Sequence, residues 1–163
     1  MADLRFIKNF PIDGITFVDI TPKLEDKNDF SNIIKDMCSK VPSDIDYIIA
    51  PSSRGYLFGP AMAINLGVGF IPVLKKGKLP ENIVITEDYE KEYGIDTLCL
   101  PNSNNYSGKK FFFVDDVLAT GGTLKAIKKI ISKVNGIYAG GAVYINLSGL
   151  NNEEINYVEE ITF

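Results

Sequence analysis

The chain has 163 residues, of which 45% are hydrophobic and 23% charged, with a formal net charge of -4. That length fits one domain with a substantial core, and the composition is that of an ordinary soluble globular protein. The acidic balance argues against a nucleic-acid or membrane-surface partner, no apolar run approaches the roughly 18 residues of a bilayer span, and no signal-peptide pattern opens the chain, so the expected compartment is the cytoplasm.

In chain order, residues 1–24 carry Phe10-Pro11, Gly14 and then Ile15 through Pro22. X-Pro steps and turn residues predict an extended segment with turns, not a helix. Phe30, Ile33, Ile34, Met37 and Cys38 recur at helical spacing and predict an amphipathic helix from Asp29 to Val41. Tyr47 to Ala50 reads as a short buried strand, followed by the turn Pro51-Ser52-Ser53-Arg54-Gly55. An apolar helix from Tyr56 to Leu66 is then stopped by Gly67, and Gly69 to Leu74 is a further strand. Within Lys75 to Leu100, Ile83–Thr86 and Thr97–Leu100 predict an exposed hairpin rimmed by Lys, Glu and Asp. Phe111–Val114 is a strand buried on both faces, a helix runs from about Thr123 to Val134, and Gly141–Leu147 is a further apolar strand. Strands alternating with helices predict an α/β fold, a central parallel sheet flanked by helices with ligands at the carboxyl edges of its strands.

The most informative stretch is Phe111 to Thr123. Its strand is expected to end at Asp115 and Asp116, so two carboxylates emerge together. Ala119-Thr120-Gly121-Gly122-Thr123 is small enough for its backbone amides to approach an anion at the start of the next helix. Taken singly, an acid pair caps helices and Gly-Gly makes turns. Both within thirteen residues, in strand–turn–helix order, describe a site for a phosphorylated sugar. The chain has no histidine, which removes imidazole-based nucleophilic triads and imidazole zinc sites. Cys38 and Cys99 are too few for a disulfide framework and read as buried small apolar residues.

On these residues the chain resembles the type I phosphoribosyltransferases. Val114 to Thr123 resembles their signature for phosphoribosyl diphosphate (PRPP). Phe10-Pro11 through Pro22, Ser53 through Pro60, and Gly77-Lys78-Leu79-Pro80 with Glu92-Tyr93-Gly94 narrow the resemblance to the adenine phosphoribosyltransferase family. The resemblance implies a type I phosphoribosyltransferase-like fold with a small hood (residues 1–24) and a flexible β-hairpin lid (residues 75–100). It implies transfer of the phosphoribosyl group from PRPP to adenine, giving AMP and diphosphate, with Mg²⁺, in a cytoplasmic homodimer. Residues 119–123 would hold the 5′-phosphate, and Asp115 and Asp116 the ribose hydroxyls, directly or through Mg²⁺. Arg54, Lys75 and Lys78 would meet the diphosphate, with Lys76 solvated. Glu92 and Tyr93 would descend with the lid, Glu92 handling a purine proton. Thr16 and Phe17 would read and stack on the base, and Leu147 would pack on its other side.

The sequence departs from that family where the base would be chosen. Val18 stands for a usual arginine, Ser52 for a common acid, Asn146 for a glutamate, and Asn151-Asn152 for Gly-Arg. The donor half is intact, so hypoxanthine, guanine or xanthine remain alternatives to adenine, as does a PRPP-binding regulator without turnover. A phosphoacceptor domain would also place acids after a strand, but the Thr-Gly-Gly-Thr turn does not suit it.

Overall fold

A computed structural model describes residues 3–91, 94–102 and 105–162, the side chain of residue 91 excepted. The chain forms two compact units, Met1–Asp36 and Met37–Phe163.

In the first unit β1 (Arg5–Lys8) and β2 (Thr16–Asp19) pair antiparallel, Arg5 opposite Asp19 and Lys8 opposite Thr16. The Arg5 Nε donates to Asp19 Oδ2 at 2.8 Å and ties the outer end of the ladder. Two helices follow, α1 (Thr21–Glu25) and α2 (Lys27–Ser39). The short helix corrects the extended reading of residues 21–24. The Asp19 carboxylate accepts the Thr21 amide at 2.9 Å, and Pro22 lies in the first turn, where a missing N–H costs nothing. The hydrogen bonds to Thr21 hold Asp19 down at about 2. Asp26 accepts the Asn28 and Asp29 amides at 2.8 and 2.9 Å, which starts α2 two residues before the predicted Asp29.

The second unit is a sheet with helices, and its helical periods were legible. After β3 (Tyr47–Pro51) the chain makes a 3-10 turn, Arg54–Leu57, and then α3 (Gly59–Leu66). The single predicted helix is thus divided, with Pro60 opening the second part. Gly67 ends it in the left-handed region, at φ 68°. β4 (Gly69–Lys75) leads to the hairpin β5 (Val84–Lys91) and β6 (Gly94–Pro101), and then to β7 (Lys110–Leu118). The helix α4 (Gly122–Lys133), the strand β8 (Ile137–Ser148) and the strand β9 (Asn156–Thr162) complete it. Among the described residues the sheet has the order β5-β6-β4-β3-β7-β8-β9, parallel from β4 to β9 and antiparallel at the hairpin.

Three expectations are corrected here. The hairpin is not an exposed appendage: β6 pairs with β4 at Leu74↔Cys99 and Lys75↔Leu98, and Tyr89, Leu98, Cys99 and Leu100 are buried. β9 was not anticipated; its half-exposed residues carry little apolar signal. Finally, β7 does not stop before Asp115, because Val117 and Leu118 continue its ladder opposite Ile145 and Asn146.

The core explains why β7 is central. Phe111 and Phe113 pack with Leu124, Ile127, Ile130 and Ile131 of α4 and with Leu98 and Leu100 of the hairpin. Alternation puts Phe112 and Val114 on the opposite face, and all four are buried. The chain leaves β3 towards β4 on one side and returns to β7 on the other, so the β3/β7 junction is the switch point where open parallel sheets bind ligands. No helix among the described residues is long and apolar enough to cross a membrane.

The turn after β3 is seated by a close approach. A Cβ on Gly55 would lie 2.9 Å from Pro51 Cδ and 3.1 Å from the Val114 carbonyl. Gly55→Ala is therefore expected to destabilise the protein by about 1–3 kcal/mol, the range for overpacking a tight site. Urea unfolding measures it; an unchanged midpoint would contradict this seating.

Candidate active site

The β3–β7 pairing ends at Ile49↔Phe113, whereas β7 stays paired with β8 to Leu118. Asp115 and Asp116 therefore sit on a length of strand that has a partner on one side only. On the other side stands the Arg54–Leu57 turn, held by Ser52 N to Val73 O at 2.8 Å, by Tyr56 N to Ser53 O at 3.3 Å and by Tyr56 Oη to Val73 O at 3.0 Å. Burial pushes the Tyr56 phenol up to about 12. Arg54 Nε donates to Asp116 Oδ2 in an ion pair whose acid is almost wholly buried. The half-buried guanidinium satisfies the buried carboxylate, and losing Arg54 would strand that acid.

Asp115 is in a different electrical position. Its Oδ1 accepts the Asp116 amide at 2.9 Å. Burial first, and the negative charge of Asp116 second, push its carboxyl well above the usual carboxylate range. Asp115 opens into a cavity of about 190 Å³ lined also by Tyr89, Thr120, Gly121, Gly122 and Thr123. Gly121 has φ 81° and leads directly into α4, whose first-turn amides have no acceptor within the helix. The loop thus turns donors and the positive helix end towards a space that a phosphate fits. A second cavity of about 610 Å³ adjoins it between the hairpin and α4, with Lys125 and Lys129 on its wall. The Glu90 carbonyl would lie 2.7 Å from a Cβ on Gly122, so the hairpin backbone rests on the loop.

Among the remaining candidates, Lys75 closes β4, and its Nζ bonds Tyr89 Oη at 2.6 Å and pairs with Asp96. Lys78 is exposed on the following turn. Leu147 is buried near the end of β8, opposite Ile161. Thr16 and Phe17 stand on β2 in the first unit, where the Phe17 ring meets Phe10 edge-on at 5.2 Å. Val18 beside them is buried. Glu92 and Tyr93 lie outside the described residues.

The structure thus gathers Arg54, Asp115, Asp116 and the 119–123 loop at one sheet edge. Sequence reasoning missed Tyr89 and Asp96. The hairpin ladder sets Tyr89 opposite Asp96. Sequence reasoning also missed Asn151, whose Nδ2 reaches the Ala119 carbonyl at 2.8 Å.

Carboxylates at a parallel-sheet switch point, a half-buried guanidinium and a glycine turn opening a helix define an α/β site suited to a sugar phosphate. Comparison with known proteins makes this specific. Residues 22–151 match the phosphoribosyl transferase domain. The chain is 44% identical over 149 residues to an adenine phosphoribosyltransferase of Streptococcus uberis, covering 91% of this chain and 86% of that one. It superposes with a TM-score of 0.88 on adenine phosphoribosyltransferase from Thermoanaerobacter pseudethanolicus, at 38% identity, covering 98% and 95% of the two chains. The Saccharomyces cerevisiae enzyme, solved with an imino-altritol bisphosphate and adenine, gives a TM-score of 0.80 at 35% identity over 90% and 86%. The chain belongs to the phosphoribosyltransferase family, among the adenine phosphoribosyltransferases.

The raised Asp115 has a signed consequence. Between the ordinary carboxylate range and its elevated value, the native state keeps a proton that the unfolded chain has lost. Stability therefore falls as pH rises through that window. Asp115→Asn, neutral and of the same shape, is expected to raise the ligand-free melting temperature at neutral pH by about 2–4 °C per kcal/mol relieved. The gain is expected to vanish below the ordinary carboxylate range. Thermal scans across pH read both, and a variant that melts lower at neutral pH would contradict the assignment.

Proposed function

We propose that the protein transfers the 5-phosphoribosyl group of PRPP to adenine, releasing diphosphate and forming AMP. The observation that carries this is the convergence of Arg54, Asp115, Asp116 and the 119–123 loop on the overrunning end of β7. The loop amides and the Thr120 and Thr123 hydroxyls take the 5′-phosphate. Asp115 and Asp116 take the ribose hydroxyls. Charge-assisted hydrogen bonds of this kind contribute about 1.5–3 kcal/mol each, so a few give micromolar binding. Arg54, Lys75 and Lys78 receive the diphosphate, Lys75 exchanging Asp96 for it.

In the reaction the bond from the ribose carbon to the diphosphate oxygen breaks as a purine ring nitrogen bonds to that carbon, and the nitrogen loses its proton. Positive charge builds on the ribose during this exchange, and the nearby carboxylates stabilise it. Glu92 takes the purine proton, with residues 75–100 as a mobile lid that excludes water and residues 1–24 as a hood. Thr16, Phe17 and Leu147 hold the base.

Mg²⁺ fits this site only as an ion shared with substrate. Among the described residues no group of three or more His, Cys, Asp or Glu side chains can hold a metal. Asp116 is already paired with Arg54. One or two carboxylates with substrate phosphate oxygens and water are an ordinary Mg²⁺ environment, and Asp115 and Asp116 would supply the protein's share. When bound, the ion neutralises charge on the leaving diphosphate. The working form is a cytoplasmic homodimer without nucleic-acid or membrane partners.

The base is the open part of the specificity, since Asn146 and Val18 are both buried and differ from the family pattern. Protein, PRPP and Mg²⁺ incubated with adenine, hypoxanthine, guanine or xanthine in turn are expected to yield AMP alone. Another nucleotide in place of AMP would overturn the base and keep the reaction class. No product from any base would favour a PRPP-binding regulator. Chelating the metal is expected to abolish turnover.

A further inference from the structure

The connection between β8 and β9 grips the phosphate loop from behind. Asn151 Nδ2 has two hydrogens and three acceptors in reach: Ala119 O at 2.8 Å, Asn146 Oδ1 at 3.1 Å and Leu147 O at 3.3 Å. Its own Oδ1 accepts the Glu153 amide at 3.1 Å, which fixes which way the carboxamide faces. Glu153 is in turn held by Lys128 Nζ at 2.7 Å and Lys125 Nζ at 3.7 Å, both on the helix that the loop opens. Its Cγ lies 2.9 Å from where a Cβ on Gly121 would be. Asn146, the anchor on β8, is buried.

The bond to Ala119 has a directional effect. A trans peptide is planar, and its C=O and N–H point in opposite directions. Holding the Ala119 carbonyl towards Asn151 therefore turns the Thr120 N–H away from Asn151. Thr120 and its neighbours through Thr123 line the cavity with Asp115. An amide preset towards an anion binds it without reorganisation, which a freely rotating peptide does not.

We propose that Asn151 is a positioning residue for the 5′-phosphate: with Asn146 as its anchor, it fixes the orientation of the 119–120 peptide and hence of the first amide of the loop. Both asparagines occur where the sequence departs from the family pattern, and the structure shows that they bond each other. The proposal rests on reading the 119–123 loop as the 5′-phosphate site.

The test separates the two halves of the substrate. Ribose 5-phosphate probes the loop, and inorganic diphosphate with Mg²⁺ probes the Arg54 side; both are titrated calorimetrically into wild type, Asn151→Ala and Asn151→Asp, with melting temperatures recorded. Losing one hydrogen bond of about 1 kcal/mol predicts roughly fivefold weaker ribose 5-phosphate binding to Asn151→Ala. Diphosphate affinity is expected to stay unchanged, and the loss should appear in KM for PRPP more than in kcat. Asn151→Asp, which sets a carboxylate against those three acceptors, should lose more; if it does not fold, Asn151→Ala decides. Unchanged ribose 5-phosphate affinity, or equal losses for both ligands, would overturn the proposal. A wild type that binds neither ligand would instead overturn the reading of the site, and this inference with it.

Discussion

Strand β7 outlasts its neighbour. Pairing with β3 stops at Phe113, while pairing with β8 continues to Leu118. The residues in that interval keep one ladder for rigidity and lose the other, which leaves two carboxylates on a fixed strand beside open backbone. The turn at Arg54 fills the place where β3 would have continued, and Gly55 lets it come close against the end of β3 and against Val114 of β7. Burying Asp116 there would be costly without a counter-charge, and Arg54 supplies it. Asp116 is thereby paired with the guanidinium, while its neighbour Asp115 is pushed towards its neutral form. The two differ in role because they differ in surroundings.

The hairpin has a structural task as well as the one proposed for it. Its inner half, through Leu98 and Leu100, completes the core on the α4 face, and Glu87 binds Lys129 and Lys133 of that helix. Among the described residues β6 pairs with β4 at two positions, Leu74↔Cys99 and Lys75↔Leu98, so its ladder to the main sheet lies in the inner half. Lys75 lies at this boundary, held by Tyr89 and Asp96. In the proposed reaction the same ammonium group would meet the diphosphate, and that contact would compete with the hairpin's hold on β4.

Local patterns were legible where one force dominated. Helical spacing located α2 and α4, Gly67 located the end of α3, and the aromatic run located β7. The acids at 115 and 116 read as a strand end because charge masks the apolar Val117 and Leu118 beyond them. The hairpin read as exposed because its charged rim outweighs Tyr89 and Leu98 to Leu100 in composition, although Tyr89 is buried and β6 is buried on both faces from Leu98 to Leu100. β9 lacks a strong apolar face and was silent. At the site, the carboxylates, Arg54 and the glycine loop were legible because each sits in a short motif. The strut from Asn151 to Ala119 was not, since 32 residues separate its ends and only the fold joins them.

The one-sided end of β7, closed by Arg54 and the 119–123 loop, is proposed as the PRPP site. Isothermal titration of PRPP with Mg²⁺ into the purified protein tests it most directly. One PRPP bound per chain with micromolar affinity, lost when Asp115 and Asp116 are both replaced by asparagine in a protein that still melts cooperatively, is the predicted result. Heat-silent titration of the wild type, or undiminished binding by that double variant, would contradict it.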